Sequence, residues 1–186
     1  MQITIDQEGS GELYLKIMKA ICGETEGNTM LDIGAHKAPY TPQLGFSHRT
    51  YVDIQDREMD FKEEKKYFHK VDAVRFLKRG NYFDTIIASD FLEHLKPQKG
   101  RVLIYLMEKY SRKQIIFTPL GDHEVNQDGH PDSHHSGWNP DYFSGWASIV
   151  MPGFHKSLGI GAFFTWHCDN IQEDFKRVKQ ELSWIK

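Results

Sequence analysis

The chain has 186 residues, 39% of them hydrophobic and 13% aromatic, which is enough for one substantial core and too little for two ordinary domains. We therefore expect a single domain over residues 1–186. The net charge of −3 and the sequence pI near 6.4 exclude a generally cationic surface, so we expect no nucleic-acid partner.

Targeting and redox features of the sequence are few. The two cysteines, Cys22 and Cys168, form no CxxC pair, which favours a reducing compartment. No apolar run approaches the roughly 20 residues that span a bilayer, and the polar residues 1–11 do not resemble a signal peptide. The sequence thus predicts a soluble, cytoplasmic protein with no membrane partner.

Strand-like and helical patterns alternate along most of the chain. Ser10 is a suitable N-cap for a helix that ends at Gly23, with apolar residues at helical spacing between them. A short helix is predicted to start at the acid Asp72, and Pro97 opens the strongest amphipathic helix. Strands are predicted at 29–34, 50–54, 67–71, 83–89 and 114–118.

Three connections between these elements are expected to be irregular. Residues 39–46 predict a short helix or turn, and the highly charged residues 55–66 predict a poorly packed crossover. The stretch from residue 120 is rich in Gly, Asp and His and is longer than most connections. We predict that residues 120–145 form a loop that orients a substrate.

The last part of the chain predicts a helix, a strand pair and a second helix. Asn139 or Asp141 could cap the first helix. The strand pair is predicted at 154–158 and 162–167, joined through Gly159 and Gly161. An apolar stripe of Phe175, Val178 and Leu182 then predicts a C-terminal helix.

This alternation predicts a Rossmann-like, doubly wound and mostly parallel sheet between two helical layers, an α/β/α architecture. The closing strand pair predicts an antiparallel hairpin at the sheet edge. In such sheets, ligands bind over the carboxyl ends of the strands, where the strand order reverses. The acids that follow the predicted strands are therefore the first candidates for a binding site.

Two of these acids have the position and the chemistry of ligand-binding groups. Asp32 lies at the end of the first predicted strand, just before Gly34, and could hold a cationic amine by a charge-assisted hydrogen bond. Asp53 ends the second predicted strand, and a carboxylate can accept both hydroxyl donors of a ribose.

With Leu31-Asp-Ile-Gly-Ala35, Asp53, Asp72-Ala73 and the run from Phe83 to Leu95, the chain resembles the class I S-adenosylmethionine-dependent methyltransferases. The resemblance implies S-adenosyl-L-methionine as cofactor and S-adenosyl-L-homocysteine as product. It places the turn after Asp32 beside the amino-acid portion, Asp53 on the ribose and Asp72 near the adenine. The implied cofactor-binding residues are Asp32, Ile33, Gly34, Ala35, Asp53, Ile54, Asp72, Ala73, Ser89 and Asp90.

The first turn departs from the family pattern, which usually carries two or three glycines. Here Ala35, His36 and Ala38 follow Gly34, and Pro39 comes next. This departure supports an alternative in which the protein keeps the fold without activity and acts as a binding module. A nicotinamide-dependent oxidoreductase is disfavoured because the turn lacks GxGxxG.

Histidines are the candidate catalytic bases. His94 follows the predicted strand 83–89, and His123 or His130 of the polar loop competes with it for this role. Asp90, Glu93 and His94 could also place three metal-ligating groups on one face, as some methyltransferases that act on diols do with a further histidine. We predict no resident metal ion, because this turn often occurs without one.

The sequence thus predicts S-adenosylmethionine-dependent methyl transfer to an oxygen or nitrogen of a small polar acceptor. Alignment and desolvation supply much of the acceleration of such a displacement, so a dedicated base is not obligatory.

Overall fold

The computed structural model describes residues 1–36, 39–55, 67–122 and 133–185. Within these ranges, eight strands form one sheet, and four α-helices cover it. The strands are β1 (Gln2–Thr4), β2 (Thr29–Ile33), β3 (His48–Asp53), β4 (Phe68–Lys70), β5 (Phe83–Ser89), β6 (Ser111–Pro119), β7 (Ala147–His155) and β8 (Ile160–Cys168). The helices are α1 (Gly11–Cys22), α2 (Ala73–Leu77), α3 (Pro97–Tyr110) and α4 (Ile171–Glu181).

The strand order is β1-β7-β8-β6-β5-β2-β3-β4. Strands β2 to β6 pair in parallel, whereas β8 runs antiparallel to both β6 and β7, and β1 adds in parallel to β7. This confirms the predicted Rossmann-like, mostly parallel sheet with an antiparallel hairpin towards one edge. The order reverses at β2, since β3 and β4 lie on one side of it and β5 on the other.

The core lies in two layers, one on each face of the sheet. Because successive side chains of a strand point to opposite faces, Ile115 packs in the cluster that includes α1 and α4, whereas Ile116 packs in the cluster with α2 and α3. Both residues are fully buried. No helix in the described ranges has the length and apolar character needed to cross a membrane.

Local signals explain where several elements begin. The Ser10 Oγ accepts a hydrogen bond from the Leu13 N–H at 3.1 Å, and Asp72 accepts one from the Arg75 N–H at 2.9 Å, so both residues cap their helices as predicted. Strand β5 has the predicted bounds. The predicted crossover at 55–66 lies outside the described residues apart from Gln55.

The prediction for residues 139–153 is wrong. Asn139 precedes only a 3-10 turn, Pro140–Tyr142, and its side chain makes no cap hydrogen bond. Strand β7 then begins at Ala147, well before the predicted start at 154. Residues 147–151 are all buried, because this strand has helices on both faces, so their side chains show no apolar and polar alternation. Strand β1 was also not predicted, since its three residues pair only at the sheet edge.

Candidate functional site

A cavity of about 550 Å³ opens over the carboxyl ends of β2, β3 and β5, a size typical of sites for small molecules. These ends are adjacent, because Ile33 pairs with Val52 on one side and with Ala88 on the other. The segment before α1 and the β7–β8 hairpin complete the walls, for example through Ser10 and His155. The cavity is therefore at the place where the sequence predicts a cofactor.

The turn after β2 requires glycine at one position. Gly34 has φ +68°, and a Cβ there would overlap the ring of Phe91. Its N–H and that of Ala35 both donate to the Val52 carbonyl, at 2.8 and 3.2 Å. His36 takes a positive φ of 47° without being glycine. The turn thus folds closely against β3 with a single glycine.

Asp53 joins this turn to the end of β3. Its Oδ2 accepts a hydrogen bond from the His36 N–H at 3.1 Å, and its Oδ1 accepts one from the Gln55 N–H at 2.8 Å. Asp53 and Ile54 both line the cavity. Each carboxylate oxygen is oriented by one backbone donor and keeps acceptor capacity for the hydroxyls of a ligand.

Asp32 is the buried acid of the site. It is 3% exposed, lines the cavity, and accepts a 2.6 Å hydrogen bond from the Thr41 hydroxyl. Burial raises the pKa of its carboxyl to about 7, against the effect of the Thr41 bond and with a smaller contribution from the Asp53 charge. A cationic group in the cavity would favour the ionised carboxylate.

Tyr14 supports the end of β5 from beneath the cavity. Its hydroxyl donates to the Ser89 Oγ at 2.8 Å, and its ring lies 4.8 Å from that of Tyr40. Burial raises the pKa of Tyr14 well above its ordinary value, so the phenol stays a donor. Sequence reasoning missed both Tyr14 and Thr41. The helical spacing of Tyr14 from Ile17 and Met18 marks it as buried, but nothing in the sequence identifies its partner.

Asp90 is the acid that faces the cavity after β5. It has a positive φ of 46°, which is uncommon for a residue other than glycine, and its N–H donates to the Phe117 carbonyl at 2.9 Å. Asp90 lines the cavity, and desolvation by the surrounding protein raises the pKa of its carboxyl.

Glu93 and His94 lie on a 3-10 turn, Leu92–His94, beside the cavity. Glu93 is 3% exposed, and its Oε2 accepts a hydrogen bond from the Thr118 hydroxyl at 2.9 Å. Burial, and to a lesser extent the charge of Asp90, raises the pKa of Glu93 to about 8. The Nδ1 of His94 lies 3.2 Å from the Ser133 carbonyl, which can only accept, so Nδ1 carries the proton and Nε2 is free to act as an acceptor.

The same turn brings together a group of residues that could hold a metal ion. The ligand atoms of Glu93, His94 and His134 all lie within 4.8 Å of one another, and the two imidazole rings are 5.0 Å apart between centroids. The sequence suggested Asp90, Glu93 and His94 as ligating groups with a further histidine, but it gave no means of selecting His134 from the histidines of the loop, and Asp90 is not in this group.

Three of the remaining predicted site residues do not line the cavity. Ile33, Asp72 and Ala73 are not among the described residues that line the cavity. Asp72 caps α2 and pairs with Lys99 at 2.7 Å, a bond that lowers the pKa of its carboxyl although partial burial acts against it. His123 and His130 lie outside the described residues, so their predicted roles stay predictions.

Comparison with known proteins adds to this geometry. No protein-family model matches the chain, and no curated protein matches it. Solved structures do resemble it. A methyltransferase dependent on S-adenosylmethionine from Archaeoglobus fulgidus has a TM-score of 0.58 at 18% identity, over 86% of this chain and 95% of that one. The N-methyltransferase NodS from Bradyrhizobium japonicum WM9, in complex with S-adenosyl-L-homocysteine, has a TM-score of 0.63 at 15% identity, over 83% and 84%.

A small RNA methyltransferase, HEN1, also has a TM-score of 0.61 at 12% identity, over 86% of this chain and 25% of that one. The fold of this chain is therefore that of the class I S-adenosylmethionine-dependent methyltransferases. At these identities the likeness defines the fold alone, so the activity depends on what the cavity residues can do.

Proposed function

We propose that this protein is an S-adenosylmethionine-dependent methyltransferase that acts on an oxygen or nitrogen of a small polar acceptor. The observation that carries the proposal is the meeting of three acids, Asp32, Asp53 and Asp90, in one cavity at the carboxyl ends of β2, β3 and β5. In a methyltransferase fold, this is where the order of strands reverses and a nucleotide cofactor binds.

The acids fit the polar groups of the cofactor. Asp53, with one backbone donor on each oxygen, is oriented to accept hydrogen bonds from the two ribose hydroxyls. Asp32 is desolvated, so a cationic amine beside it would form a stronger charge-assisted bond than it could in water. The Phe91 ring packs against Gly34, which keeps the turn close to the bound cofactor.

When bound, S-adenosyl-L-methionine supplies an electrophilic methyl group, whose bond to sulfur breaks as a lone pair of the acceptor attacks. The protein positions the acceptor and excludes water from it. The free Nε2 of His94 can accept the proton that the acceptor loses, because Ser133 already holds Nδ1. The net charge of −3 gives no general attraction for nucleic acid, which supports a small acceptor.

A binding module without activity is the second candidate, motivated by the turn with a single glycine. The geometry weakens the case for an inactive protein, because His36 adopts the left-handed conformation that a second glycine would otherwise supply. The two candidates differ in activity and agree on cofactor binding. Transfer of an isotope-labelled methyl group to a panel of hydroxyl and amine acceptors separates them.

Calorimetric titration with S-adenosyl-L-homocysteine tests the cofactor site. We expect Asp53→Ala to weaken binding by about 1.5–3 kcal/mol, since it removes hydrogen bonds to a charged acceptor. Asp169→Asn is the matched control, because Asp169 is exposed and lies far from the carboxyl ends of the parallel strands. It follows β8, whose last residue pairs near the start of β6. No heat with folded wild-type protein at millimolar ligand would refute the proposal, and an unchanged affinity of Asp53→Ala would remove Asp53 from the site.

A further inference from the structure

The starting point is a buried carboxyl group that lies beside a second acid. The Glu93 side chain is 3% exposed, and Thr118 donates to its Oε2. The backbone N–H of Glu93 is a further donor to this carboxyl, and the nearby acid Asp90 is a second negative group. Burying such a group is costly unless a cation or another donor compensates it.

Two imidazoles lie where a compensating cation would bind. The ligand atoms of Glu93, His94 and His134 are at most 4.8 Å apart. Two ligands on opposite sides of a transition metal, each at about 2.1 Å, are separated by about 4.2 Å. The limit of 4.8 Å exceeds this largest spacing by about 0.6 Å, so the three side chains have to move closer together to share one ion.

Hydrogen bonds hold these groups in place. The Nδ1–H of His94 donates to the Ser133 carbonyl at 3.2 Å, which points Nε2 away from the backbone. Histidines that bind metals usually donate their other ring N–H to such an acceptor. The segment that carries His134 is in turn tied to the 3-10 turn, since the His135 N–H donates to the Glu93 carbonyl at 2.8 Å and the Ser136 hydroxyl to the Leu95 carbonyl at 2.8 Å.

We propose that Glu93, His94 and His134 bind one divalent ion of the first transition series, and that this ion holds a hydroxyl group of the methyl acceptor. Two nitrogen ligands and one carboxylate favour ions from Mn²⁺ to Zn²⁺ over Mg²⁺ and Ca²⁺, which prefer oxygen ligands. Three protein ligands leave positions open for substrate. Of these three groups His94 lines the cavity, beside Asp90, so the ion would lie at the border of the space where the acceptor would bind.

This assignment names the acceptor class and rests on the proposed methyl transfer. An ion lowers the pKa of an oxygen acid that it binds, so an acceptor hydroxyl would lose its proton near neutral pH. With the ion bound, Nε2 of His94 is a ligand and no longer the base, so the O–H bond breaks and the proton passes to the Asp90 carboxylate, which lines the same cavity. The oxygen lone pair forms the new C–O bond, while the C–S bond breaks and its electron pair stays on the sulfur.

The test is metal binding itself, measured on untagged protein that has been stripped with a chelator. We expect visible absorption to show that about one Co²⁺ binds per protein, and electron paramagnetic resonance to show that Mn²⁺ also binds. Glu93→Gln and His134→Asn should each weaken Co²⁺ binding at least about tenfold. His155→Asn, which changes another histidine of the same cavity, should leave it unchanged. An excess of Mg²⁺ should not displace Co²⁺.

Thermal unfolding shows whether each variant is folded and whether Co²⁺ stabilises it. Co²⁺ should raise the midpoint of the wild-type protein by mass action, and this rise should disappear in His134→Asn, whose side chain lies outside the core. Absence of Co²⁺ and Mn²⁺ binding to folded wild-type protein, or equal Co²⁺ affinity in all variants, would overturn the site.

Separate readouts distinguish this inference from the proposed function. Binding of S-adenosyl-L-homocysteine without any metal binding would refute only the metal site, whereas metal binding without cofactor binding would refute only the methyltransferase assignment. With both present, methyl transfer to hydroxyl acceptors should stop on chelation and return with Mn²⁺ or Co²⁺. Transfer that survives chelation would overturn the role of the ion in the reaction.

Discussion

Replacement of Asp32 by asparagine should stabilise the ligand-free protein and at the same time abolish cofactor binding. Asp32 is 3% exposed, and burial raises its pKa to about 7. The pKa of an unperturbed aspartate is about 3.9, so the pKa of Asp32 lies about 3 pH units higher. At 1.36 kcal/mol per unit, keeping this carboxylate ionised in the folded protein costs about 4 kcal/mol.

The direction in which the free energy of unfolding changes with pH follows from the number of protons that the folded and unfolded states bind. Between about pH 4 and pH 7 the unfolded chain releases the Asp32 proton while the folded protein retains it, so the wild-type free energy of unfolding falls as the pH rises. The penalty is absent below this window and complete above it. Asparagine cannot ionise, and its side-chain carbonyl can still accept from Thr41. Because water in the cavity solvates part of the charge, we expect Asp32→Asn to gain about 2–4 kcal/mol at pH 8.

Urea unfolding without ligand, from about pH 5 to about pH 8, measures this difference. The gap between Asp32→Asn and wild type should widen up to about pH 7 and then stay constant. Asp84→Asn is a control in which the free energy of unfolding should fall and not rise. A hydrogen bond from the Thr29 backbone N–H at 2.9 Å lowers the pKa of Asp84, so its ionised form stabilises the folded protein. A gap that does not grow with pH, or an Asp32→Asn protein that is less stable than wild type at pH 8, would refute this reasoning.

Three further variants test the parts of the site. Gly34→Ala puts a Cβ into the Phe91 ring at a φ of +68°, so we expect a loss of about 1–3 kcal/mol in urea unfolding, and stability within error of wild type would contradict the packing described. Tyr14→Phe removes the 2.8 Å bond to Ser89 and should cost about 0.5–1.5 kcal/mol by the same method, whereas a neutral effect would mean that the bond contributes nothing. Asp72→Ala removes the α2 cap and the Lys99 pair, so stability should fall by about 1–2 kcal/mol with unchanged affinity for S-adenosyl-L-homocysteine; a tenfold loss of affinity would instead place Asp72 at the cofactor.

The sequence predicted the part of the fold in which local signals agree with the final packing. Strand β5 is an apolar run bounded by polar residues, and α1 has both a serine cap and a terminal glycine, so their bounds could be recognised. Strand β7 lacked such a signal. Its first five residues are buried from both faces, and a short, mostly apolar run does not distinguish a strand from a helix.

The candidate site was predictable to the extent that it depends on strand ends. Asp32, Asp53 and Asp90 meet because parallel strands bring their carboxyl ends to one edge, which follows from the alternation of elements. Thr41 and Tyr14 act through single hydrogen bonds that only the folded chain defines. The grouping of His134 with Glu93 likewise depends on backbone hydrogen bonds between two segments that are distant in sequence.

A crystal structure of the complex with S-adenosyl-L-homocysteine tests the central claim most directly, because it shows which atoms hold the ligand. We predict that the two ribose hydroxyls donate to the Asp53 carboxylate and that the amine of the amino-acid portion lies against Asp32. Ligand bound outside the cavity over β2, β3 and β5, or bound in it without contact to Asp53, would contradict the account.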